Sequence, residues 1–295
     1  MRHCFRCSAS RLWPWFLTTI VAAAILPAHG GATHAAAGVS FLSHQALYDL
    51  SLVKSRGSSS INSASGRILY KFSGSACEGY TSDFRQVSEM NNGEGETTLS
   101  DMRSTSWEDA EGKAYRFKIV TRTNEADQSE VDGIAERKGG KITVKLKRPV
   151  AKTLTLDGKA VFPTEQIQRI IAAAKAGKSV LELTVYDGSD NGEKVYNTFS
   201  VIGKPIRGEA TGSSPDPSTA NDQMKTLTRW PVTVSYYERG AAHANGEQTP
   251  NYAMSFELFE DGVSRALVLD YNDFVISGKM DKFDLGDARS ARPCK

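Results

Sequence analysis

The sequence predicts a mainly β protein: one long antiparallel sheet, wound and barrel-like, with a single amphipathic helix at about residues 164–176. Three observations predict it. Apolar residues recur at period two almost from Val39 to the last fifty residues, the spacing of strands with one buried face. The runs are short and separated by Asn92-Gly93, Glu111-Gly112, Asp132-Gly133, Gly139-Gly140 and Asp261-Gly262, pairs that tolerate tight hairpin turns. A sheet of about a dozen strands or more cannot stay flat and open; it must curl or close, and closing hides its edges.

Before the first strand, residues 1–37 read as a secretory signal. Arg2, Arg6 and Arg11 form a basic start, Leu12 to Leu26 an apolar core, and Ala35-Ala36-Ala37 a small-residue cleavage site. The apolar core is short for a membrane span, and no cysteine follows it at the place a lipid anchor needs. The expected mature chain, 38–295, is then one periplasmic domain without a membrane span. Cys4 and Cys7 leave with the signal, so their C-x-x-C spacing is not read as a metal or redox motif, and Cys77 and Cys294 remain. Two thiols in an oxidising compartment favour one disulfide, Cys77–Cys294. A bridge across so long a loop stabilises by at most about 5 kcal/mol on the chain-entropy view. Removing three basic residues from 36 leaves 33 against 34 acids, a net charge of −1. That balance gives no footprint for nucleic acid.

The elements follow in order. Ala46, Tyr48, Leu50 and Leu52 share a strand face; Ile61 to Phe72 form the next run, with Gly66 a possible bulge. A third run starts at Cys77, a fourth covers Thr97 to Trp107, and Tyr115, Phe117 and Ile119 mark a fifth. Asp132-Gly133 and Gly139-Gly140 punctuate the strands after it, of which Ile142, Val144 and Leu146 alternate with Lys141, Thr143, Lys145 and Lys147. Pro163-Thr164-Glu165 starts the helix, with Thr164 the expected N-cap. Ile167, Ile170, Ile171 and Ala174 make its apolar stripe, and Gly177 ends it. Such a helix either plugs the mouth of the curved sheet or packs on its surface as a connector.

Val180 to Tyr186 and Val195 to Ile202 form a hairpin about Asp187 to Lys194. Lys204 to Gln223 is read as one long loop rather than a domain boundary. Strands resume at Val232, Val234 and Tyr236. A last hairpin runs through Tyr252, Met254, Phe256 and Leu258, turns at Asp261-Gly262, and returns from Val263 to Ile276. A polar tail from Lys279 follows, weakly held by packing.

Catalytic and metal chemistry is thin. The mature chain has two histidines, His44 and His243, on distant segments, and His44 beside a strand reads as a surface or packed residue. No G-x-S-x-G elbow occurs, and paired cysteines are no nucleophiles. Asp187, Ser189, Asn191 and Gly192 mimic the first half of a calcium loop. Thr198 stands where its terminal acid belongs, and a hairpin turn explains the same residues. No catalytic residue, cofactor or metal is therefore expected. The inward aromatic and aliphatic residues either fill a core or line a lipid-sized cavity in a wide barrel.

A set of landmarks runs through the mature chain: Ser43-His44-Gln45-Ala46-Leu47-Tyr48-Asp49-Leu50-Ser51-Leu52, then Gly66, Tyr70 and Cys77-Glu78-Gly79-Tyr80. Trp107, Tyr115-Arg116-Phe117, Phe162-Pro163, Tyr186-Asp187-Gly188-Ser189 and Phe256-Glu257-Leu258 continue it, and Gly262-Val263, Leu269-Asp270-Tyr271, Phe274 and Cys294 end it. In their order these resemble the cell-envelope integrity protein EipB family of Gram-negative bacteria. The resemblance implies a periplasmic β-spiral, an incomplete barrel around a helix, with the Cys77–Cys294 disulfide. It implies a non-enzymatic role in envelope integrity and stress resistance, acting through another periplasmic envelope protein or a lipid-like ligand. Carriage of lipid or lipoprotein in the barrel interior is the alternative, and hydrolysis of envelope polymers the least supported.

Overall fold

Alternation of buried and exposed side chains sets the architecture. In the first strand, β1 (His44–Ser55), Ala46, Tyr48 and Leu50 are buried while Gln45, Asp49 and Ser51 face outward. The computed structural model describes residues 39–56, 61–124, 127–208, 216–240 and 249–286. After β1 come β2 (Ile61–Ser75), β3 (Gly79–Asn92), β4 (Thr97–Glu108), β5 (Ala114–Thr123), β6 (Asp127–Lys138), β7 (Lys141–Arg148) and β8 (Lys152–Asp157). Helix α1 (Pro163–Lys175) interrupts the strands. Then follow β9 (Val180–Val185), β10 (Tyr196–Ile202), β11 (Ile206–Arg207), the short helix α2 (Pro217–Ala220), β12 (Thr228–Glu238), β13 (Tyr252–Phe259), β14 (Ser264–Asp270) and β15 (Phe274–Leu285).

All pairings between these strands are antiparallel, and the order is β8-β7-β6-β5-β4-β3-β2-β1-β15-β14-β13-β12-β10-β9, with β11 beside β12. Every neighbour on that path is a near neighbour in sequence except one pair: the first strand lies against the last. The meander is therefore joined at its two chain ends and open where α1 leaves β8 and enters β9. Val161, just before the helix, bridges to Val185 at the end of β9. Register shifts bend the sheet, between Leu47 and Tyr48 and between Leu52 and Lys54 in the β1–β15 ladder, and between Ser255 and Glu257 in β13–β14. Such irregularities increase twist and help a long sheet to wind. It is β-barrel-like, as its alternation predicts.

Three cores result. One joins β1 and β2 to β13–β15 through Tyr48, Ile68, Phe259, Ile276 and Met280. A second packs Ile170, Ile171, Ala173 and Ala174 of α1 on Trp230, Val232 and Val234 of β12. The third fills the β5–β8 arm, where Tyr115, Phe117, Ile142 and Val144 meet Phe162 and Tyr186.

Several expectations change. The last strand is not a loose polar tail: β15 pairs with β1 as far as Leu285, opposite His44. Its outward residues Lys279, Asp281 and Lys282 are exposed while Met280 is buried, so a strand with one solvated face reads as polar when its period is broken by a bulge. The return after Asp261-Gly262 is two strands, because Asn272 at φ 69 and Tyr271 to Asp273 make a turn between β14 and β15. Gly66 is no bulge. It pairs in register with Leu50 and Ser88, and a Cβ there would stand 2.2 Å from the Val87 carbonyl oxygen. Asp132-Gly133 lies within β6 rather than at a turn, since Gly133 makes room for the Phe117 ring. The 204–223 segment holds β11 and α2.

Thr164 is not the N-cap either. Phe162 occupies that position, extended and fully buried, with no side-chain cap bond, and Pro163 starts the helix. The cap comes from β4: Glu108 accepts hydrogen bonds from the Thr164 and Glu165 N–H groups at 2.7 and 2.8 Å. At the other end Gly177, at φ 72, allows the Lys178 N–H to reach back to the Ala173 carbonyl at 2.9 Å.

Candidate functional site

Alternation brings inward faces from both halves of the chain toward α1, where they pack together only in part. Between them lies a cavity of about 430 Å³, within the usual size range of small-molecule sites. One wall is Tyr48, Ile68, Tyr70 and Phe84, with Gln86 and Met102 beyond. The opposite wall is Val234, Tyr236, Tyr252, Met254, Phe256, Leu267 and Leu269. Gln166, Ile167 and Ile170 of α1 close one side. The helix therefore serves the interior and is not a surface connector. Tyr252, Met254 and Phe256 of the last hairpin are half-buried because their face borders the cavity.

Tyr271 is the exposed member of this lining. From it an aromatic ladder runs inward: Tyr271 to Tyr252 at 6.5 Å between ring centres, then Tyr252 stacked on Tyr236 at 4.5 Å and 13°. Burial raises the Tyr48, Tyr70, Tyr236 and Tyr252 hydroxyls above the usual phenol range, so they stay neutral. The Tyr48 hydroxyl donates to the Ser264 carbonyl at 2.7 Å. Among the described residues that line the cavity there is no charged side chain, histidine or cysteine. What this arrangement can do is hold an apolar, uncharged molecule by shape and by aromatic faces.

Two polar sites support the walls. Glu108 is buried at the start of α1, and desolvation raises its carboxyl to about 7 against the pull of the two helix N–H donors. Arg137 ties the same helix turn down, donating to Glu165 at 2.9 Å and to the Ala160 carbonyl at 2.7 Å. Outside the cavity, Arg229 and Arg265 both reach Glu257, at 2.7 and 2.6 Å, and Arg265 also reaches Asp216, which caps α2. That cluster fastens the α2 segment across β12–β14. Neither site was visible in the sequence, since each pairs residues far apart in it.

The other expected sites lie elsewhere. Asp187 accepts from the Ser189 N–H at 2.9 Å, Asp190 from the Tyr196 hydroxyl at 2.6 Å, and Glu193 pairs with Lys152 at 2.5 Å. The acids of this turn are thus engaged by the protein itself, as a hairpin turn would have them. His44 is buried among Tyr70, Phe72 and Phe283, with Nδ1 2.8 Å from the Leu42 carbonyl oxygen. Burial lowers its pKa, so the ring stays neutral. His243 lies outside the described residues. Of the two expected bridge partners, Cys77 sits exposed in the turn from β2 to β3, and Cys294 is outside the described residues. Leu285 pairs with His44 and His44 with Phe72, so β15 ends at the edge of the sheet where that turn lies.

Comparison with known proteins agrees with this architecture. A profile described as EipB-like matches residues 35–287. The chain is 36% identical over 263 residues to the cell envelope integrity protein EipB of Brucella abortus (strain 2308), covering 87% of this chain and 89% of that one. It is also similar to the crystal structure of a beta-barrel-like protein of the domain of unknown function DUF1849 from Brucella abortus. That match has a TM-score of 0.76 and 34% identity, over 84% of this chain and all of the other.

Proposed function

The chain belongs to the EipB-like family, and from that premise we propose that it supports cell-envelope integrity from the periplasm by holding a lipid-like ligand in its central cavity. One observation carries the ligand: the apolar, aromatic-walled cavity of about 430 Å³ with Tyr271 as its exposed lining residue. The envelope role rests on the identity to the Brucella protein, whose name states it. No reaction is part of the proposal, because a wall of tyrosine, glutamine and aliphatic groups offers no paired nucleophile and base. Stress resistance then follows from the ligand or from a periplasmic partner that receives it.

Export is part of the same reading: a signal over residues 1–37 releases a chain starting near Gly38. So is the Cys77–Cys294 disulfide. The last described residue, Gly286, donates to the Ser43 carbonyl at 2.7 Å, beside the sheet edge that carries the Cys77 turn. The eight residues from 287 to 294 are long enough to cross the two strand spacings between them, about 10 Å. Native mass spectrometry of the protein purified from periplasm tests the function. Acyl-chain masses released from wild type are the expected result; a protein that carries none, and takes up none from lipid extract, overturns it.

A further inference from the structure

The lining of the central cavity sets two limits on what can enter it. The first is chemical. The Tyr48 hydroxyl donates to the Ser264 carbonyl at 2.7 Å and the Tyr236 hydroxyl to Gln166 Oε1 at 3.4 Å, while the Ser255 and Thr233 hydroxyls share a hydrogen bond of 2.8 Å. The protein engages these polar groups itself, and what the walls offer a guest is chiefly rings and aliphatic chains. No described lining residue is charged, so a charge buried here would stand unpaired, at a cost that outweighs the gain from several methylenes. Of the described lining Tyr271 alone is exposed, and Asp270 next to it pairs with Arg56 at 2.7 Å. Charge begins where the lining meets water. The second limit is volume. A methylene needs about the room of one water in the liquid, about 30 Å³, so 430 Å³ holds about fourteen chain carbons. Two membrane-length chains do not fit.

We infer that the cavity takes one linear acyl chain of about fourteen carbons with its polar head left in water, and so selects single-chain lipids over diacyl phospholipids and diacylated lipoproteins. The inference rests on the lipid-like reading of the cavity and narrows the class of its ligand. Fatty acids and lysophospholipids share the required chemistry.

Displacement of the fluorescent apolar probe N-phenyl-1-naphthylamine from the intact mature protein tests it. The competitors are lysophosphatidylcholines with chains of ten to eighteen carbons, each below its micelle concentration, and myristate and tetradecanedioate at pH 8. Affinity should rise about fourfold per added carbon while the cavity fills, and level off near fourteen. Tetradecanedioate, charged at both ends, should compete about a hundredfold worse than myristate. Native mass spectrometry follows incubation with vesicles of dimyristoyl phosphatidylcholine that carry myristoyl lysophosphatidylcholine. It should show one lysolipid per protein and no diacyl lipid. An affinity that climbs undiminished to eighteen carbons overturns the inference, as does a dicarboxylate equal to myristate or a diacyl lipid retained as readily as the lysolipid. Ile167→Trp, which fills part of the cavity from the helix side, should move the plateau to shorter chains; an unmoved plateau also overturns it. The wild-type series decides the matter even if the variant does not fold. Failure of the probe and every competitor to bind is a different result, and it overturns the lipid-like reading beneath. Myristate against the fourteen-carbon lysolipid separates the two sources; a preference for either supports the inference and names the source.

Discussion

The β5–β8 arm and the middle of the sheet are built by the same alternation, from similar aromatic and aliphatic residues, yet the first is solid and the second hollow. In the arm, rings meet glycines. Gly188 and Gly133 lie flat against Phe117, so that a Cβ on either would be 2.5 or 2.7 Å from the ring, and Gly192 sits against Leu146 and Val131. Backbone closes directly on side chain at these points. In the middle, large groups stand on both walls: Tyr236 stacks on its cross-strand neighbour Tyr252 on one, and on the other the Tyr48 hydroxyl is drawn away to Ser264. Large groups on both walls hold the walls apart. Hydrophobic pattern alone thus does not decide whether an interior is filled; the placement of the smallest residues opposite the largest does.

The largest expected effect comes from the seam between the two regions, where Glu108 of β4 caps the helix that walls the cavity. Its carboxyl is raised from 4.5 to about 7 by burial, so the native state binds a proton that the unfolded chain has already lost. The stability this group contributes is full below about pH 4.5 and is lost as pH rises through about 7, by about 3 kcal/mol. Asp261, raised to about 6, acts in the same sense. Urea denaturation from pH 4.5 to 8 should show the decline, and Glu108→Gln should remove the larger part of it. An unchanged slope in that variant would detach the seam from the titration.

Overpacking the solid region should cost almost as much. Gly133→Val drives carbon into Phe117 and Leu146 and should lower stability by about 2–3 kcal/mol in the same assay, leaving probe binding per folded molecule as it was. Tolerance of this valine would mean that the arm is looser than its contacts.

The bridge comes next. Since β15 is paired through Leu285, the sheet keeps its last strand without the bridge, and Cys294→Ser should cost about 2 kcal/mol, less than the full loop-entropy value. Thermal melting of wild type and variant with and without reductant reads it. Identical melting in all four conditions would remove the disulfide from the reading. The smallest effect on stability belongs to the hollow. Met254→Trp should change it by about 1 kcal/mol or less, because the added ring enters empty space, while abolishing uptake of the apolar probe. A destabilisation like that of Gly133→Val would erase the contrast.

Much of this was legible in the sequence and the remainder has identifiable causes. Period two, the Asx-Gly turns and the stripe of Ile167, Ile170 and Ile171 are local signals, and the sheet and helix follow from them. Glu108 was missed because its partners are 56 and 57 residues away. Gly133 was read as punctuation because a glycine that receives a ring and a glycine that turns the chain look alike. Of the cavity, Tyr252, Met254 and Phe256 were visible as an inward face, but the gap between that face and Tyr48 depends on how the sheet winds, which no window of sequence contains.

The pairing of the first strand with the last has a kinetic consequence. A chain that becomes available in order from its first strand can zip each strand onto the one before it, from β1 through β8 and again from β9 onward. Yet β1 keeps one whole edge open until β15, the final strand, arrives. That contact joins the first and the last of the described strands, and closing such loops is slow. Meanwhile the row of unpaired N–H and C=O groups from His44 to Ser55 is a template for any other extended chain. The folding of this protein therefore ends where it began, and its most vulnerable surface is the one that the finished molecule hides.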